Sequence, residues 1–69
     1  MVKIYSADRL RLAMIEAEYS LDGLAADTRI SSRTIRRAMK GDVAPDTKTL
    51  SVMADVLRVD IGFFFVAPK

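Results

Sequence analysis

ISSRTIRRAMKGD, residues 30–42, sets four basic side chains and three apolar ones between a serine pair and a glycine. On a helical wheel of about 100° per residue, Arg33, Arg36, Arg37 and Lys40 fall at i, i+3, i+4 and i+7 and share one face. Ile35, Ala38 and Met39 gather on the other. One side belongs to a core and the other faces outward. A solvated cationic surface is the simplest account of the outer side, since cations near a helix C-terminus are favoured by roughly 0.3–1 kcal/mol each. That accounts for Arg37 and Lys40. It does not account for Arg33, which stands in the first turn where a cation is disfavoured. Nor are glutamates interleaved at i±4. Arg33/Arg37 and Arg36/Lys40 repel by about 0.2–0.5 kcal/mol per pair, a folding penalty that an anionic ligand removes.

The charge of the whole chain is concentrated in the same place. The 69 residues carry a net charge of only +2. Residues 29–48 hold six basic groups against two acidic ones, whereas residues 1–28 hold three basic against five acidic. A short basic segment in a small domain points to a polyanionic partner. Several other classes lose their usual parts. With no cysteine and no histidine, disulfide frames, zinc sites and His-based catalysis have no residues to build on. Glu16 and Glu18, two apart on a helix, point in different directions and read as solvated surface. Ser31 and Ser32 have no base nearby and read as caps. The three glycines are isolated, so no phosphate-cradling loop is present. The longest apolar run, 61–67, is far too short to span a bilayer. The expectation is a cytoplasmic, non-enzymatic protein with no cofactor, no metal, no membrane association and no evident small-molecule ligand.

Around this segment the dominant period is helical. Leu10, Ala13, Met14 and Ala17 make one apolar stripe, capped by Ser6, and predict a first helix over Ala7 to Glu18. Ser20 caps a short second helix through Leu21, Leu24 and Ala25, ending near Thr28. Ser31 or Ser32 caps the third helix and Gly41 ends it. Asp42 to Pro45 is a loop. Asp46 caps a fourth helix with the stripe Leu50, Met53, Ala54 and Leu57. Asp60 caps a fifth, short helix through Phe63 to Phe65. The expected fold is all-α, one domain over residues 1–69. A short strand in MVKIY, pairing with FFFV, is the competing reading of the two ends. The second and third helices are separated only by a turn around Thr28 to Ile30, so they must cross steeply. That is helix-turn-helix geometry, in which the later helix enters the DNA major groove. Ala25 permits close approach, and Ile30 and Ile35 supply apolar contacts.

The stretch SLDGLAADTRISSRTIRRAMKGDVAPDTKTLSVMADVLRVD resembles the lambda-repressor-like helix-turn-helix family, the Cro and repressor type. The pattern is Leu24-Ala25, Ile30-Ser31, Ile35, Gly41, Pro45, then Leu50, Ala54 and Leu57, in order and in register. The resemblance implies a compact five-helix bundle that binds operator DNA, commonly as a homodimer, to regulate transcription in bacteria or phage. It places base contacts at Ser32, Arg33, Arg36 and Arg37, and a phosphate contact at Lys40. Arg29, Ser31 and Lys48 are further phosphate candidates. It also places a dimer contact near the chain's last helix, which here means Phe63, Phe64, Phe65 and Val66. Three successive aromatics cannot all enter one core, which is an independent reason to expect one of them at an interface.

Three positions depart from the family pattern. Leu21 stands where glutamine commonly opens the second helix. Arg29 stands where the turn commonly has glycine; either the left-handed conformation is kept, at about 1–2 kcal/mol, or the turn is reshaped. Met14 and Met39 stand where many members have an arginine–glutamate pair. Replacing both partners of a buried pair by apolar groups is often neutral or stabilising, whereas losing one costs about 3–5 kcal/mol. A Met14–Met39 contact is therefore expected. The functional expectation is a sequence-specific binder of double-stranded DNA, a repressor or Cro-like regulator. The alternative is a helix-turn-helix protein-interaction module, such as an antitoxin or accessory factor, that binds through the Phe63–Val66 end.

Overall fold

The computed structural model describes residues 3–68. Met1 and Val2, which open the possible N-terminal strand, lie outside the described residues. The elements in chain order are β1 (Ile4–Tyr5), α1 (Ala7–Glu16), α2 (Leu21–Thr28), α3 (Ser32–Lys40), α4 (Thr47–Leu57), a 3₁₀ turn (Ile61–Phe64) and β2 (Phe65–Val66). Each α-helix starts where a short polar side chain can accept a bond from an orphan amide. Ser6 accepts from the Arg9 amide, Ser20 from Gly23, Ser31 from Thr34 and Asp46 from Thr49.

The helices also end alike. Glu18, Arg29, Gly41 and Arg58 follow α1, α2, α3 and α4, all with φ between 57° and 78°. At α1 the Tyr19 amide reaches back to the Met14 carbonyl at 2.9 Å, and at α4 the Val59 amide reaches Ala54 at 3.0 Å. Both are Schellman closures. This stops α1 at Glu16, two residues earlier than its apolar stripe suggests.

The two ends of the chain correct the all-α expectation. Among the described residues four α-helices are present, not five. Asp60 makes no side-chain cap bond, and the segment after it turns once and then extends. β2 pairs antiparallel with β1, Ile4 opposite Val66 and Tyr5 opposite Phe65, and the Ser6 amide continues the ladder to the Phe64 carbonyl at 2.7 Å. Bulky aromatics followed by valine suit a strand better than a helix. Pairing also satisfies backbone groups that a single helical turn leaves open.

One core joins the helices: Leu10, Ala13 and Met14 from α1, Leu24 from α2, Ile35 and Ala38 from α3, Leu50, Met53, Ala54 and Leu57 from α4, and Phe64. α3 packs on both α1 and α2, and α4 packs on α2 and on the 3₁₀ turn. Thus α3 is held from two sides and its third side is free.

Candidate nucleic-acid interface

The turn between α2 and α3 is set by Thr28 and Arg29. Thr28 is nearly buried. Its hydroxyl donates to the Leu24 carbonyl at 2.6 Å and accepts from the Ile30 amide at 3.2 Å. This single side chain closes α2 and fixes where the chain leaves it. Arg29 keeps the left-handed conformation, φ 60° and ψ 23°, with its amide bonded to the Ala25 carbonyl. The turn is therefore not reshaped around the missing glycine, and the strain of about 1–2 kcal/mol is carried by the arginine. Its side chain is exposed.

Ser31, rather than Ser32, caps α3. Its hydroxyl accepts from the Thr34 amide at 3.2 Å and donates to the Thr34 hydroxyl at 2.8 Å. Ser32 is the first residue of the helix and half-buried. Ile35 and Ala38 enter the core, and Met39 packs half-buried against the cluster that contains Met14. Arg33, Arg36, Arg37 and Lys40 are all exposed. Among the described residues, none of these four nor Arg29 forms an ion pair with a carboxylate. Lys48 is exposed in the first turn of α4, beside the capping Asp46. The Asp46 carboxyl is held below its usual range first by its bond to the Thr49 side chain, then by the Thr49 amide, with a smaller contribution from Lys48. A groove of about 210 Å³, lined by Thr34, Arg37, Ala38, Val43 and Pro45, runs between α3 and the loop after it.

The far end of α3 shows what the sequence reading missed. The last turn of a helix leaves carbonyls without partners. Here the Tyr5 hydroxyl donates to the Ala38 carbonyl at 2.8 Å, and the Arg11 guanidinium donates to the Met39 carbonyl. The Gly41 amide takes the Arg37 carbonyl at 3.1 Å. Arg11 is also paired with Asp8, and its charge sits where the helix dipole favours a cation. Burial pushes the Tyr5 hydroxyl up to about 12, against a smaller opposite effect from Arg11. It therefore remains a donor at any ordinary pH. Met14, one of the two positions expected to join α1 to α3, is apolar and 4 % exposed. Arg11, one helical turn earlier, makes the link to the main chain instead. Tyr5 and Arg11 lie 33 and 28 residues from their acceptors, and no local sequence signal marks such bonds.

The Phe63–Val66 segment is less available than expected. Phe64 is 0 % exposed, so it has no surface to offer a second copy and its place in a dimer contact is withdrawn. The ring of Phe63 lies under the Arg9 guanidinium, 4.9 Å from its carbon to the centroid, and the same arginine donates to the Phe63 carbonyl at 3.3 Å. Phe65 meets the Tyr5 ring edge-on at 6.4 Å. Phe63, Phe65 and Val66 are all half-buried. The three aromatics are thus divided between the core and two covering contacts.

Among the described residues no helix is long and apolar enough to cross a membrane. A family model described as helix-turn-helix matches residues 10–64, from the first buried residue of α1 to the buried Phe64. Neither the curated proteins nor the solved structures give a match.

Proposed function

The chain belongs to the lambda-repressor/Cro-like helix-turn-helix family of DNA-binding domains, and from that premise we propose that it is a sequence-specific transcriptional regulator of prokaryotic or phage type, acting in the cytoplasm. In this reading α3 lies in the major groove of an operator, and two copies bind a two-fold site. The observation that carries it is the outer face of α3. Four exposed cations, without ion-pair partners among the described residues, stand on a helix whose first turn is capped by Ser31 and whose last carbonyls are bound by Tyr5, Arg11 and Gly41. Such a helix is rigid before any ligand arrives, so little ordering cost remains for binding. Repulsion within the face is relieved only by an anion.

Arg33 and Arg37 are the first choices for base contact, since arginine reads guanine bidentately through O6 and N7. Ser32 and Arg36 are next. Arg29, Ser31, Lys40 and Lys48 meet phosphates. With three charged phosphate contacts per copy, the slope of log affinity against log salt is about −3 per copy.

The test is selection of bound sequences from a random DNA pool, followed by titration of the selected site and of random duplex. Arg33→Ala should cost about 1–3 kcal/mol on the selected site and relax its sequence preference, whereas Lys40→Ala should weaken both duplexes alike. Equal losses on both duplexes for Arg33→Ala would remove it from base reading. No affinity for any duplex at low salt would remove the DNA reading.

A further inference from the structure

The two ends of α3 are held by different means. At the first turn the hold is local. Ser31 accepts from the Thr34 amide, and the Ile35 amide bonds the Ser31 carbonyl at 3.1 Å. The last turn carries Arg37 and Lys40, and three successive carbonyls there are bound. The amide of Gly41, just past the helix, takes the Arg37 carbonyl at 3.1 Å. The other two donors come from elsewhere in the chain, Tyr5 to Ala38 at 2.8 Å and Arg11 to Met39. Both are themselves fixed. Tyr5 is paired through β1 with Phe65 and meets that ring edge-on at 6.4 Å. Arg11 stands on α1 between the buried Leu10 and Ala13 and is paired with Asp8.

We infer that, where α3 reads an operator as proposed above, Tyr5 and Arg11 are positioning residues for the base contact of Arg37, although neither belongs to the helix. The carbonyls they bind and the backbone that carries Arg37 form one helical turn. A released carbonyl lets that turn tighten toward 3₁₀ geometry or fray, and the base of the Arg37 side chain shifts with it. A guanidinium on guanine needs two parallel bonds in one plane, so it is sensitive to such a shift. Lys40 is a point charge on a flexible stem and follows a phosphate through the same shift. Arg33, one turn earlier, is held by the Ser31 cap and keeps its contact. The two remote bonds therefore govern sequence preference and leave the sequence-independent attraction to phosphate in place.

The test compares the selected duplex with random duplex, at a temperature where circular dichroism shows every variant folded. Tyr5→Phe removes one hydroxyl and keeps the ring. It should weaken the selected duplex about three- to tenfold and random duplex by less than about twofold. Arg11→Ala should act in the same way, and Arg11→Lys, which keeps a cationic donor for the Met39 carbonyl, should recover most of the loss. Arg37→Ala should cost less in the Tyr5→Phe background than in the wild-type chain, whereas Arg33→Ala should cost the same in both. A merely structural Tyr5 would lower the melting temperature and move neither ratio. Without DNA, Tyr5→Phe should speed exchange of the Gly41 amide about three- to tenfold and leave that of Ile35 unchanged. Wild-type affinity for the selected duplex in Tyr5→Phe, equal losses on both duplexes, or additive costs with Arg37→Ala overturns the inference and leaves the DNA reading standing. A wild-type chain that binds no duplex overturns both.

Discussion

The arginines of α1 and those of α3 are chemically identical and do opposite things. Arg9 and Arg11 point along the body of the molecule and end on carbonyls, a ring and a carboxylate. Arg33, Arg36 and Arg37 are exposed and, among the described residues, meet no carboxylate. The first pair joins distant parts of one chain. The second set adds repulsion to the folded state and is justified only by something outside it. A cation's role is thus read from where its guanidinium ends, not from its presence in a basic segment.

The sharpest challenge to that contrast is to place a third arginine on α1, facing inward. Met14→Arg should destabilise the fold by about 3–5 kcal/mol, because a charge without a partner enters the core. Adding Met39→Glu should recover much of the loss by giving the new arginine a carboxylate partner. Denaturant melts of the two single variants and the double variant measure this, and purely additive costs would mean that the two sites do not communicate. Met14 is buried and Met39 only half-buried, so the larger single cost belongs to Met14.

Next comes the reverse case, an arginine of α3. Arg33→Ala should leave stability within about 0.5 kcal/mol while lowering operator affinity by about 1–3 kcal/mol. The complementary variant is Arg11→Ala, which should lower stability by about 1–2 kcal/mol through the freed Met39 carbonyl. For a domain of this size that is a drop in melting temperature of roughly 4–8 °C per kcal/mol. If Arg33→Ala unfolds the protein, or Arg11→Ala does not affect its melt, the division of labour is wrong.

Arg29 belongs to neither set, since it is strained and exposed at once. Arg29→Gly should relieve the left-handed backbone but loosen the unfolded chain, a net gain of about 0.5–1 kcal/mol. The same change should flatten the salt dependence of DNA binding by about one unit of slope. A further effect appears only in alkali. Burial raises the Tyr5 hydroxyl from 10.0 to about 12, so the unfolded chain loses that proton first. The stability tied to this group is complete below pH 10 and declines as pH rises from there toward 12. Melts across this range, compared with Tyr5→Phe, isolate the contribution; equal slopes would assign the decline to other groups.

How much of this was legible in the sequence follows the distance over which each feature is decided. Ser6, Ser20, Asp46 and Gly41 act within four residues of themselves, and they close or open their helices where the local pattern puts them. The wheel separated Ile35 and Ala38 from the arginines correctly because α3 has one core-facing side. The choice between Ser31 and Ser32 was open, since both sit at the right spacing, and only the backbone settles it on Ser31. The fifth helix failed for the opposite reason. Asp60 ahead of an apolar run looks locally like a helix cap, but Phe65 and Val66 find Tyr5 and Ile4, and a partner strand overrides local preference. Tyr5 and Arg11 on the carbonyls of α3 were invisible for the same reason. Thr28 was within reach, since a threonine ending a helix before a turn can bond back to the i−4 carbonyl.

Ile4 and Val66, the outermost paired residues, are separated by nearly the whole chain, and this sets an order of events in folding. Pairs so far apart carry the largest loop-closure cost and form last. α2, its turn and α3 need only neighbours and can form early. Until Tyr5 is placed against α3, the Ala38 carbonyl lacks its hydroxyl donor and the final turn of the helix stays open. Amide exchange should record this as protection of Gly41 that falls in step with that of Ser6, on the opposite side of the sequence.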